Sequence, residues 1–130
     1  MPFYRHLGID LMNLSWGRSK IRVKVRRELT QDAGVAHGGV AAALVDSAVG
    51  LALCTMLASE EFIITVELKV NFIAPAKPGT LTATGKIVHK GKRIAVGEAE
   101  VRDAKRTLIA KGLATYIILG NRHRRTVTFS

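Results

Sequence analysis

HGGVAAALVDSAVGLALCTMLA, residues 37–58, decides how this chain is read. From Val40 to about Leu57 the segment is apolar on every side, and a helix that is greasy all round is a buried one. A central helix enclosed by a sheet is therefore expected. Two glycines stand directly before it, where Gly38 and Gly39 leave approachable backbone N–H groups at the positive end of the helix dipole. That arrangement suits a carbonyl oxygen that gains negative charge during a reaction. His37 either caps the helix or contacts such a carbonyl. Asp46 is the one carboxylate in the run, and it is costly there without a partner or a task. It reads as a base or nucleophile, or as an acceptor bridging a subunit contact.

Spacing limits how these groups cooperate. Eight or nine residues of helix rise amount to about 12–13.5 Å, so a carbonyl seated on the Gly38 amide is out of reach of Asp46 in the same chain. A dimer in which one subunit lends the glycine loop and the other the acid resolves the conflict.

Outward from the helix the pattern changes to strands. Lys20, Arg22, Lys24 and Arg26 alternate with Ile21, Val23 and Val25, which predicts a strand over Ser19–Leu29 after a short N-terminal element. Gln31 to Gly39 reads as a loop. Behind the helix, Val66, Leu68, Val70 and Phe72 alternate with Thr65, Glu67, Lys69 and Asn71, predicting a strand over Phe62–Ala74 with Thr65 on its polar face. Pro75 to Gly79 stops it. Strands over Thr80–His89, Arg93–Arg102 and Thr107–Leu119 follow, turning at Gly91 and at Asp103–Lys105. The whole is an α+β chain of one domain, with four strands in an antiparallel meander after the helix and a polar, frayed tail over residues 121–130.

Composition narrows the function classes. With 130 residues, 48% hydrophobic and 23% charged, the chain has the make-up of a folded domain. Asp46, Ser47 and Thr55 interrupt the apolar run, which argues against membrane insertion. Arg5, His6 and Asp10 leave the N-terminus without a signal-peptide core. A lone cysteine, Cys54, reads as a small core residue and suits a reducing, cytoplasmic setting. The net charge of +10 favours anionic partners, yet only seven aromatic residues are present and none interleaves with the basic clusters, which argues against nucleic acid. His6, His89 and His123 lack metal-ligand spacing, so no metal is expected.

Gly34-Val35-Ala36-His37-Gly38-Gly39 with Asp46 nine residues after the histidine, followed by Thr65-Val66-Glu67-Leu68-Lys69-Val70-Asn71-Phe72-Ile73-Ala74-Pro75, resembles the hotdog-fold acyl-CoA thioesterases, nearest the phenylacetate-degradation type. Gly91-Lys92-Arg93-Ile94-Ala95-Val96 and Ala110-Lys111-Gly112 extend the likeness, which runs from about Gln31 to Tyr116. It implies an antiparallel sheet around one helix, and hydrolysis of an acyl-CoA to free acid and CoA without metal or cofactor. It also implies homodimers that pair into tetramers. Carried over residue by residue, Gly38 supplies the oxyanion N–H, Asp46 of the other subunit the base or nucleophile, and Thr65 a hydroxyl that places water. His37 belongs to the same signature. CoA would be held by Gly39 and by Lys90, Lys92 and Arg93. One departure stands out, because Gln31 occupies a position where the family often has asparagine. An acyl-CoA binder without turnover, and a hydratase or dehydratase on the same scaffold, are the competing readings.

Overall fold

In the computed structural model, residues 1–120 are described, so the expected tail over 121–130 lies outside them. The elements in chain order are α1 (Pro2–Leu7), β1 (Asp10–Ser15), β2 (Arg18–Val25), a 3-10 turn (Arg27–Leu29), α2 (Gly38–Cys54), β3 (Phe62–Phe72), β4 (Gly79–Lys90), β5 (Ile94–Arg102) and β6 (Leu108–Leu119). Six strands form one antiparallel sheet in the order β1-β2-β4-β5-β6-β3, and α2 packs against every one of them.

α2 begins two residues earlier than its apolar pattern suggests, because His37 caps it. The ring Nδ1 accepts the Gly39 N–H at 2.8 Å. It stops at Cys54, where Thr55 turns its hydroxyl back onto the Ala52 carbonyl and also accepts the Gly17 N–H. Ten of its 17 residues are buried, which is why the segment carries no polar face. The helix lies directly on the sheet through glycines. A Cβ on Gly97 would sit 2.5 Å from Val49 Cγ1, and one on Gly112 would sit 2.8 Å from Val45 Cγ1. Gly85 meets the Ala48 carbonyl just as closely, and Ser19 donates its hydroxyl to that same carbonyl. The turn of α2 that carries Asp46 is thus fixed against β2, β4, β5 and β6.

Several local expectations are corrected. The four-strand meander is only three strands, β4–β6, because β3 leaves α2 and pairs with β6 at the sheet edge. The stiff segment 73–78, with Pro75 and Pro78, is too long for a hairpin turn, and its Ala76 carbonyl instead accepts the Ala36 N–H beside the start of α2. The Ser19–Leu29 strand ends at Val25, since alternation fails at Arg26-Arg27 and the chain turns so that Leu29 is buried. The short N-terminal element is a helix followed by a strand. Cys54 is exposed, not part of the core, because it lies on the last turn of α2.

β3 contains the most instructive difference. The register slips between Thr65 and Glu67, leaving Val66 in a bulge. The bulge changes the phase of the strand, so Thr65 and Leu68 line one hollow although they are three apart. Thr65 therefore faces the helix and not the polar side. β3 is an edge strand on which Val66 and Phe72 remain 55% and 60% exposed.

Candidate active site

Two hollows open along β3, one at each end of the strand. At the Phe72 end, a hollow of about 340 Å³ is lined by Gln31, His37, Gly38, Ala41, Phe72 and Ile73 among others. Gly38 is the first residue of α2, so its N–H has no carbonyl one turn back to bond with. It has no partner among the described residues. A Cβ at Gly38 would lie 3.3 Å from the Phe72 ring, so a bare glycine keeps this amide approachable. Gly39 differs from expectation, since its N–H is taken by His37. Because Nδ1 accepts that bond, a neutral His37 ring carries its proton on Nε2.

At the other end of β3, a hollow of about 370 Å³ is lined by Asp46, Ser47, Gly50, Ile63, Thr65 and Tyr116, together with Met1 and with Phe3 and Tyr4 of α1. Asp46 is half-buried here. Thr65 donates its hydroxyl to Asp46 Oδ1 at 2.8 Å. The Tyr116 phenol shares its one proton between the same Oδ1 and the Asp46 main-chain carbonyl. Burial pushes the Tyr116 phenol far above its ordinary value, and the neighbouring Asp46 carboxylate pushes it further, so it is a proton donor at any working pH. Burial also raises the Tyr4 phenol, against a lowering contribution from the Ser47 hydroxyl.

The structure brings Asp46 and Thr65 together, and separately Gln31, His37 and Gly38. It does not join the two groups within one chain, since eight residues of continuous helix part Gly38 from Asp46, about 12 Å of rise. Lys90, Lys92 and Arg93 lie at the β4–β5 hairpin, whose Gly91 N–H bonds the Ile94 carbonyl, and they line neither hollow. Tyr116 is the residue that sequence reasoning missed. Its signal was faint: a phenol at one inward position of β6 among Ala110, Gly112, Ala114 and Ile118. Its meaning depends on pairing β6 with β3, where Tyr116 stands opposite Thr65. Among the described residues no helix is long and apolar enough to cross a membrane.

Comparison with known proteins identifies the family and the fold. Residues 33–110 match the family model described as the thioesterase superfamily. A Saccharolobus solfataricus protein, SSO2140, provisionally named an esterase, is 34% identical over 116 residues, which is 89% of this chain and 82% of its own. The medium/long-chain acyl-CoA thioesterase YigI of Escherichia coli is 27% identical over 133 residues, with 91% of this chain and 86% of its own covered. The Escherichia coli PaaI protein from the phenylacetic acid degradation operon superposes with a TM-score of 0.86 over 92% of this chain and 86% of its own. At 23% identity that likeness speaks for the fold. The chain belongs to the thioesterase superfamily, and its architecture is the PaaI-like hotdog fold.

Proposed function

We propose that this thioester hydrolase acts on acyl-CoA at a site shared by two copies of the chain, Gly38 coming from one and Asp46 from the other. The observation that carries the reading is the position of the two hollows at opposite ends of one edge strand, which pairs with β6 on one side only among the described strands. Antiparallel pairing of β3 with β3 about a two-fold axis sets the Phe72 end of one protomer beside the Thr65 end of its partner. The Gly38 hollow of each copy then meets the Asp46 hollow of the other. Such pairing also covers Val66 and Phe72, which no described residue of the chain buries, and removes an exposed sheet edge.

The chemistry follows from those positions. The thioester carbonyl oxygen accepts the Gly38 N–H at the positive end of α2, where the developing oxyanion is stabilised. Asp46 either draws a proton from a water that attacks the carbonyl carbon, or attacks the carbon itself and is freed by water later. In the first route the tetrahedral intermediate collapses with cleavage of the C–S bond. The CoA thiolate leaves and takes up the proton that Asp46 had accepted, giving free acid and thiol. Gln31, on the same wall as Gly38, presents an amide to the substrate or water in the place of the usual asparagine. The basic hairpin Lys90, Lys92, Arg93 is the candidate for the CoA phosphates, and further pairing of dimers into tetramers is part of the same proposal.

The fixed tautomer of His37 disfavours the hydratase reading, which needs that ring to shuttle protons beside an acid. Release of free thiol from a panel of aromatic, medium-chain and long-chain acyl-CoAs tests the function. Turnover of at least one member, reduced about 10³-fold in Asp46→Asn, is expected; no thiol release from any would overturn it.

A further inference from the structure

We infer that Tyr116 is a positioning residue which, together with Thr65, clamps Asp46 through Oδ1 and leaves Oδ2 as the oxygen that meets water or thioester. This rests on the reading of Asp46 as the acting carboxylate. Thr65 approaches Oδ1 from β3 and Tyr116 approaches it from β6, the two strands being paired at that pair of residues. Both are donors to the same oxygen, while Oδ2 has no partner among the described residues. Two donors from two strands fix both torsions of a short side chain, which a single bond does not. The phenol has a single proton, shared between Oδ1 and the Asp46 main-chain carbonyl, so the same contact holds the ring against the helix.

The helix makes room for this clamp. Gly50 stands one turn after Asp46, and a Cβ there would lie 3.0 Å from the phenol oxygen, closer than nearly all real contacts. The absence of a side chain at that position leaves room for the phenol to reach the acid. The raised proton affinity of Tyr116 agrees with a permanent donor and excludes a role as base.

Tyr116→Phe keeps the ring and deletes the donor. With an acyl-CoA that the wild-type enzyme hydrolyses, kcat is expected to fall about tenfold while KM stays within about twofold, because the change disorders the reacting group and not the bound substrate. Thr65→Val should behave likewise, and the double variant should lose more than either alone. Gly50→Ala should lower kcat in the same way with both hydroxyls still present. If Tyr116→Phe does not fold, Gly50→Ala and Thr65→Val decide the matter. A readout independent of turnover is the crystal structure of Tyr116→Phe, in which the Asp46 carboxylate should be rotated or split between orientations. Unchanged kcat in Tyr116→Phe with the carboxylate in place overturns the clamp. Full activity in Asp46→Asn instead overturns the reading of Asp46, a separate failure.

Discussion

The two hollows along β3 are built by different means. The Gly38 hollow is a backbone device: a helix N-terminus, a histidine cap and glycines, all within residues 31–39. The Asp46 hollow is a side-chain device that joins α2, β3 and β6 through residues up to 70 positions apart. A backbone donor tolerates sequence change around it provided the helix starts where it does. A carboxylate held from two strands depends on register, and register depends on a bulge. Asp46→Asn breaks the second device at its centre, so the largest effect is expected there: kcat lower by about 10³-fold with little loss of stability, measured by thiol release and thermal unfolding. Gly38→Pro breaks the first. Proline suits the first position of a helix, so it deletes the N–H and leaves α2 standing. The expected loss is on the order of 10²-fold in kcat.

If the devices belong to different protomers, the two impaired variants should rescue each other. Mixing them in equal amounts under conditions where subunits exchange gives hybrids with one intact site of two. About a quarter of wild-type activity should return. No recovery, with exchange verified by differently tagged chains, would place both devices in one chain's site and end the shared-site proposal.

The same contrast explains what could be read in advance. Gly38, His37 and the helix are legible because their signal is local: glycines, a cap and a long apolar run lie next to one another in sequence. Asp46 was legible as an anomaly, a charge in grease. Thr65 was noticed yet set on the wrong face, because strict alternation cannot anticipate the bulge at Val66 that shifts the phase of β3. Tyr116 escapes such a reading because Thr65, opposite it on β3, lies 51 positions earlier in the chain, and local rules pair consecutive strands. The crossing segment 73–78 removes β3 from β4, so local turn rules gave the wrong neighbour. Gly39 reads from sequence as a free amide, whereas His37 Nδ1 accepts its N–H.

Between the devices lies the contact that keeps them at a fixed separation, the seat of α2 on the sheet glycines. Gly97→Ala puts a methyl 2.5 Å from Val49 Cγ1 and 2.9 Å from the Lys86 carbonyl, and the backbone atom cannot rotate away. A loss of about 1–3 kcal/mol in unfolding free energy is expected from denaturant titration. The kinetic companion sharpens the comparison. Lifting α2 moves the Asp46 carboxylate against its β3 and β6 donors more than it moves the Gly38 amide against its own cap, so kcat should fall while KM changes little.

The smallest effect belongs to the sheet's outer face, remote from both hollows. Glu100 accepts from Arg102 at 2.9 Å, with Lys111 Nζ at 3.5 Å. The Arg102 hydrogen bond outweighs partial burial and holds the carboxyl below its ordinary value of 4.5. A depressed folded value contributes stability that is present above the unfolded value and is lost as pH falls through the folded one. The pair is solvent-accessible, so screening limits Arg102→Gln to about 0.2–0.5 kcal/mol at neutral pH. That difference should shrink in acid as Glu100 takes up its proton in both proteins, which unfolding curves from pH 7 to pH 3 would follow. Thioester hydrolysis should be untouched, since Arg102 lines neither hollow; a fall in kcat would show that the outer face is coupled to the carboxylate clamp.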